Sequence, residues 1–220
     1  MTHALRRTAA TLAAAALALL ATPGTASAAQ WQGDPRDLPD PSVLVVEQPG
    51  QPRTYYAYAT QIWQQTNVQV TVSTDLKTWS APTEALPTLG SWATTGNTWA
   101  PGALRRGDQF LLYYTATHAA SGRQCIGVAT SATPTGPFTD SSPAPLVCQL
   151  ALGGSIDADT LVMPDGTLYL HWKSDDNAIG GVAKLWGQRL AGNGLSFEPG
   201  TSPRELLRYD ARWEKPLIEG

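Results

Sequence analysis

Hydrophobic and polar positions alternate along most of the chain in short runs broken by turn residues. Val68-Gln69-Val70-Thr71-Val72-Ser73 alternates at period two, the pattern of a strand with one buried face. Ser42 to Glu47 and the aromatic run Thr54 to Thr60 read as two earlier strands, separated by the turn Gly50-Gln51-Pro52. Asp75-Leu76-Lys77 turns the chain again, and Thr78-Trp79 opens a fourth, short strand. A second copy of this passage starts at Gly102-Ala103-Leu104. It continues through Gln109–Ala116 and Cys125–Thr130 and closes at Gly136-Pro137-Phe138. A third runs through Asp159–Met163, the turn Pro164-Asp165-Gly166, Thr167–Trp172 and Ala183–Leu190, and closes at Gly194–Phe197. No stretch after the first 28 residues carries a helical period longer than a turn or two.

Three consecutive four-stranded units, each ending on an aromatic after a turn, predict a β-propeller, in which radially packed sheets bury both faces and leave only short edges. The alternative with the same strands is a non-repeating β-sandwich. Each unit opens at a comparable point: Asp40, Ala100 and Asp157, followed by Glu219 near the last residue, spaced 60, 57 and 62 positions apart. Three units and the start of a fourth do not close a ring, since propellers typically have at least four blades. The expectation is that one or two further blades belong to the natural protein.

Composition adds limits. Residues 1–28 read as a secretory signal peptide, with Arg6 and Arg7, the apolar run Leu12 to Ala21, and Ala26-Ser27-Ala28 as a small-x-small cleavage site. The apolar run is short for a membrane span and is followed at once by Pro23-Gly24. The expectation is an exported, extracellular protein with no membrane association after cleavage, a loop over residues 29–37 and a partial propeller over 38–220. Arg6 and Arg7 are two of the 15 Lys+Arg, while all 18 Asp+Glu lie downstream. The mature part is therefore acidic, which argues against nucleic acid. Cys125 and Cys148 are the only cysteines. In an exported chain they can form one disulfide, or remain two separate buried thiols. With His118 and His171 as the only downstream histidines, no zinc cluster is expected, and no metal ligand is assigned.

In a propeller the innermost strands begin near the axis, so Asp40, Asp157 and Glu219 would converge. Three carboxylates around one cavity suit glycoside hydrolysis, in which a carboxylate base activates water and a protonated acid serves the leaving oxygen. Each acid also has a plain structural role open to it: Asp40 in an Asp-Pro turn, Asp157 capping its own loop, Glu219 as a solvated surface residue.

The motifs then resemble a known family. Asp40-Pro41-Ser42-Val43, Trp99-Ala100-Pro101, Ile156-Asp157 and Glu219-Gly220, with Gly127–Ser131 and Pro134–Phe138, are similar to those of glycoside hydrolase family 43. These are five-bladed β-propeller enzymes that degrade arabinan and xylan. The resemblance spans residues 38–220 and implies Asp40 as general base, Glu219 as general acid and Asp157 as the residue that modulates the acid's pKa and orients it. It implies inversion, a polysaccharide or oligosaccharide substrate, and no required cofactor. A central-channel ion such as calcium is compatible with it, with ligands not identifiable. Trp99 is a candidate wall for a sugar face or a blade-packing residue; Trp79, Trp172 and Trp186 are expected in blade cores. Two departures stand out. Gly102 replaces the acidic residue that often follows Trp-Ala-Pro, and Ala158 replaces the proline after the third-blade aspartate, which opens the choice between Asp157 and Asp159 as the inward residue. Rival readings are a non-catalytic carbohydrate-binding propeller, the related fructan-cleaving class, whose Asn-Asp-Pro opening is missing here, and a protein-binding propeller.

Overall fold

The computed structural model describes residues 37–62 and 65–209. The described chain is all-β, arranged as three antiparallel sheets consistent with a partial β-propeller. The first sheet has the order β1 (Ser42–Val46), β2 (Thr54–Ala59), β3 (Gln69–Ser73), β4 (Thr83–Glu84). The second is β5 (Ala93–Arg106), β6 (Gln109–His118), β7 (Gln124–Ser131). The third runs β8 (Ser155–Val162), β9 (Leu168–Ser174), β10 (Lys184–Arg189), β11 (Arg204–Arg208). Its first hairpin turns at Gly166, whose φ of 82° only glycine adopts without strain. The only helical elements among the described residues are two 3-10 turns, Leu150–Leu152 and Asp176–Ile179. No described helix is long and apolar enough to cross a membrane. The signal-peptide reading of residues 1–28, most of the 29–37 loop, and Glu219 lie outside the described residues.

Sheet packing follows from the two-residue period of strands. On β6, Phe110, Leu112, Tyr114 and Ala116 join a cluster with Tyr58, Val70 and Leu86 of the first sheet's part of the chain. The intervening Leu111 and Tyr113 join a second cluster with Leu168, Leu170 and Trp172 of the third sheet. The second sheet is thus apolar on both faces because it has a neighbour on both. Large apolar side chains in such positions contribute about 1.5–3 kcal/mol each. One buried carboxylate sits at the edge of the first cluster: Trp92 Nε1 and Tyr114 Oη both donate to Asp140 Oδ2, at 3.0 and 2.7 Å. Burial, and secondarily this bond, pushes the Tyr114 phenol well above its ordinary range.

Outer strands differ from the sequence expectation in all three units. In the first, Thr78 N–H donates to the Asp75 carboxylate and belongs to the turn, so the short strand begins later, at Thr83. In the second, Pro134 and Pro137 remove backbone donors, and the fourth strand reduces to an isolated bridge between Thr139 and Thr130. In the third, Gly194 lies in a turn whose carbonyl accepts from Tyr113 Oη at 2.7 Å. Only a bridge joins Phe197 to Leu190, and Arg204–Arg208 is the outer strand. Trp172 is fully buried and Trp186 packs against the second cluster, while Trp79 is half-buried and belongs to neither cluster.

Candidate active site

The inner strands of the three sheets share one irregularity. In the second sheet Trp99 pairs with Thr115 and Gly102 with Tyr113, so Ala100 and Pro101 together oppose the single residue Tyr114. In the third, Ile156 pairs with Lys173 and Asp159 with His171, so Asp157 and Ala158 oppose Trp172. In the first, Thr60 N–H donates to Pro39 O at 3.0 Å and Ser42 pairs with Tyr58, leaving Asp40 and Pro41 opposite Ala59. Each is a β-bulge, which inserts one residue, bends the strand and re-aims its side chain.

The leading bulge residue is left-handed in every sheet, with φ of 51° at Asp40, 39° at Ala100 and 58° at Asp157. Among the described residues Leu76, in the β3–β4 turn, is the one other non-glycine with positive φ. The left-handed region costs an L-residue about 1–2 kcal/mol, less for Asp, whose short polar side chain bonds locally. The in-phase positions read from the sequence are therefore one backbone device used three times.

These bulges surround a single cavity of about 520 Å³. Asp40, Ala100, Asp157 and Asp159 line it, with Pro101, Ala158 and Val43 among the other walls. Asp40 and Asp157 thus face the same space, and both are exposed. Asp40 Oδ2 accepts from Thr60 Oγ1 at 2.8 Å. The backbone N–H of Asp157 donates to Thr115 Oγ1 at 3.2 Å. Asp159 shares the cavity, so Asp157 and Asp159 are not inward-versus-outward alternatives. They differ in backbone: Asp157 leads the bulge, whereas Asp159 sits in ladder register with its Oδ1 accepting from Thr160 N–H at 2.8 Å. Trp99 is half-buried, just before its bulge, and is not among the residues lining the cavity.

Gly102 has a steric reason of its own. A Cβ there would stand 2.4 Å from Ala158 O and 3.2 Å from Asp159 Cα. The second inner strand approaches the third too closely for any side chain at this position. Sequence reading missed the bulges and the two threonines that bond to them, and it weighed Asp157 and Asp159 as alternatives where both line the cavity. The signal was present in part, because Thr60 and Thr115 each stand just after the tyrosines of an equivalent strand.

Cys125 and Cys148 form a disulfide, with Cα atoms 4.7 Å apart, tying the start of β7 to the segment before the first 3-10 turn. Together with His118 they are the one group of three metal-ligating residue types that converges among the described residues. Two sulfurs bonded to each other offer no thiolate, and calcium takes six to eight oxygen ligands. These residues do not fit a calcium ion.

Comparison with known proteins gives a consistent result. No functionally curated protein matches the chain. Among solved structures, a thermostable family-43 glycoside hydrolase superposes with a TM-score of 0.66 at 26% identity, covering 80% of this chain and 55% of the other. An endo-1,4-beta-xylanase from Bacteroides thetaiotaomicron gives 0.62 at 27% identity, with 80% and 55% covered. An endo-arabinase from the same organism gives 0.65 at 20% identity, with 78% and 56% covered, a likeness of fold alone. The chain spans about half the length of these structures. The sequence profile of glycosyl hydrolases family 43 matches residues 35–210, and the chain belongs to that family.

Proposed function

We propose that this chain carries the general base and the acid-orienting aspartate of an exported, five-bladed glycosidase that hydrolyses arabinose- or xylose-containing plant polysaccharides with inversion. The observation that carries this reading is the pair of left-handed bulges that turn Asp40 and Asp157 into one cavity. The bulge recurs at Ala100, so its strain belongs to the repeat; what distinguishes Asp40 and Asp157 is that two of the three bulges carry a carboxylate and both carboxylates line the same cavity.

In the proposed reaction the Asp40 carboxylate takes a proton from water as that water attacks the anomeric carbon. Glu219, protonated, gives its proton to the leaving oxygen. The negative charge of Asp157 favours the protonated form of the acid. An inverting base and acid stand about 6.5–9.5 Å apart, leaving room for the water. The substrate class rests on family membership and on the xylanase and arabinase likenesses.

The test is incubation with linear arabinan, debranched arabinoxylan and xylo-oligosaccharides, following the first-formed anomer by proton NMR. Inverted product from one of these, lost in Asp40→Asn and in Glu219→Gln, is the expected result. Retained configuration, or full activity in either variant, overturns the mechanism. A second reading, a propeller that binds carbohydrate without cleaving it, would use the same cavity lined by Asp40, Asp157 and Asp159. It predicts saturable binding of the same oligosaccharides by calorimetry with no product.

A further inference from the structure

Thr60 follows the aromatic strand of the first sheet; its backbone groups bond within that sheet's part of the chain, and its hydroxyl reaches the second sheet. Its backbone N–H donates to Pro39 O at 3.0 Å. Its carbonyl accepts from Gln69 Nε2 at 2.7 Å. Its hydroxyl accepts the N–H of Ala100, the bulge residue of the next sheet, at 2.9 Å. The same hydroxyl lies 2.8 Å from Asp40 Oδ2, the one hydrogen bond to that carboxylate among the described residues. A hydroxyl has a single proton. With its oxygen occupied by the Ala100 N–H, that proton goes to Asp40, so the relay has one direction: Ala100 N–H to Thr60 to the carboxylate. The neighbouring residue braces it, since Gln61 N–H donates to Thr98 O at 3.1 Å while Gln61 Oε1 accepts from Thr98 N–H at 2.9 Å. A β-branched side chain held at both ends of its hydroxyl has little freedom at χ1.

The equivalent residue one sheet on is Thr115. It accepts the N–H of Asp157, the next bulge residue, at 3.2 Å. A threonine pinning the following bulge is therefore a repeated seam device. In the first sheet the same threonine also holds a cavity carboxylate, that of Asp40.

We propose that Thr60 is the positioning residue for Asp40: it fixes one carboxylate oxygen, Oδ2, and thereby sets how the carboxylate faces the cavity, using the second sheet as its anchor. This rests on the reading of Asp40 as the general base. A bond from a neutral donor to a charged acceptor is strong enough to hold one rotamer, and chained hydrogen bonds strengthen one another. The other end of the chain is a backbone amide on a strained bulge, so the carboxylate's orientation is tied to the seam between two sheets rather than to a loop.

The test uses the full chain labelled with 13C at aspartate carboxyl carbons, with the Asp40 resonance identified by its loss in Asp40→Asn. Thr60→Val is expected to move that resonance at fixed pH, Thr60→Ser to restore it, and Thr115→Val, which removes the same seam bond one sheet on, to leave it in place. In turnover, Thr60→Val is expected to lower kcat by about tenfold or more with KM little changed, and Thr60→Ser to recover most of the loss. An unmoved Asp40 resonance in Thr60→Val overturns the proposal. So does a Thr60→Ser variant that behaves like valine, which would assign the effect to packing. An equal shift in Thr115→Val does the same, by assigning it to general loosening of the seams. If Asp40→Asn hydrolyses at full rate, the base reading itself fails. If that variant is inactive while Thr60→Val turns over normally, the failure belongs to Thr60 alone.

Discussion

The bulges at Asp40 and Ala100 have the same backbone and hold different side chains. Both leading residues are left-handed, both are followed by proline, and both sit two residues ahead of a ladder pair with a tyrosine, Ser42 with Tyr58 and Gly102 with Tyr113. One presents a carboxylate to the cavity and the other a methyl group. Aspartate tolerates the left-handed region through local hydrogen bonds, whereas alanine gains nothing there. That a strained alanine is nonetheless found at the second bulge teaches that the packing of the sheets demands the bulge, and that chemistry uses only some of the positions it creates.

This contrast can be broken by exchanging what each bulge carries. The largest effect is expected at the first. Asp40→Asn keeps the side-chain shape and should lower kcat/KM by about 10²–10⁴-fold, with the melting temperature shifted by no more than a few degrees. A comparable loss of folding cooperativity would show that Asp40 serves the seam and not the reaction. Next is Gly102→Ala, where the added methyl meets the Ala158 carbonyl. Overpacking of this kind costs about 1–3 kcal/mol, to be read from urea unfolding, because backbone cannot swing aside as a flexible side chain can.

A smaller effect belongs to the second bulge. Ala100→Val should destabilise by about 1–2 kcal/mol through left-handed strain. Ala100→Gly should change stability by less than about 1 kcal/mol, since relief of strain is offset by greater freedom of the unfolded chain. Equal stability of the two variants would mean that the bulge is not strained in solution. The smallest effect lies outside the cavity lining, in the β3–β4 turn. The N–H groups of Thr78 and Lys77 hold the Asp75 carboxyl down to about 2, against an ordinary 3.8. Its stabilising contribution is therefore complete above the unfolded value and is lost as pH falls from about 4 through about 2. The difference in melting temperature between the wild type and Asp75→Asn should be constant from pH 7 to 5 and shrink below 4. A pH-independent difference would refute the assignment. Because Asp75 is exposed, the effect is small and sensitive to salt.

Much of the fold was legible in the chain because strands bury side chains at period two. The β6 run Phe110–Ala116 is apolar at every position except Thr115, and so announces a sheet with a neighbour on each side. Proline and loop geometry blurred the outer strands. Pro137 removed the ladder of the second unit, and the carbonyl of Gly194, taken by Tyr113, moved the third unit's last strand to Arg204–Arg208. At the site, the spacing of Asp40, Ala100 and Asp157 identified equivalent positions without saying what they had in common. A bulge is a mismatch in count between two strands, and neither strand contains it alone.

The sequence by itself determined the strand class, the repeat and the phase of the three inner positions, since all of these depend on local periodicity. Tertiary structure decided that Asp40 and Asp157 share one cavity with Asp159, that Gly102 is required by the closeness of β5 to β8, and that Thr60 joins Ala100 to Asp40. These depend on distances between residues up to about 120 positions apart in the chain. Such distances are fixed only when the sheets pack, because only then do strand pairing, backbone strain and seam hydrogen bonds act on the same atoms.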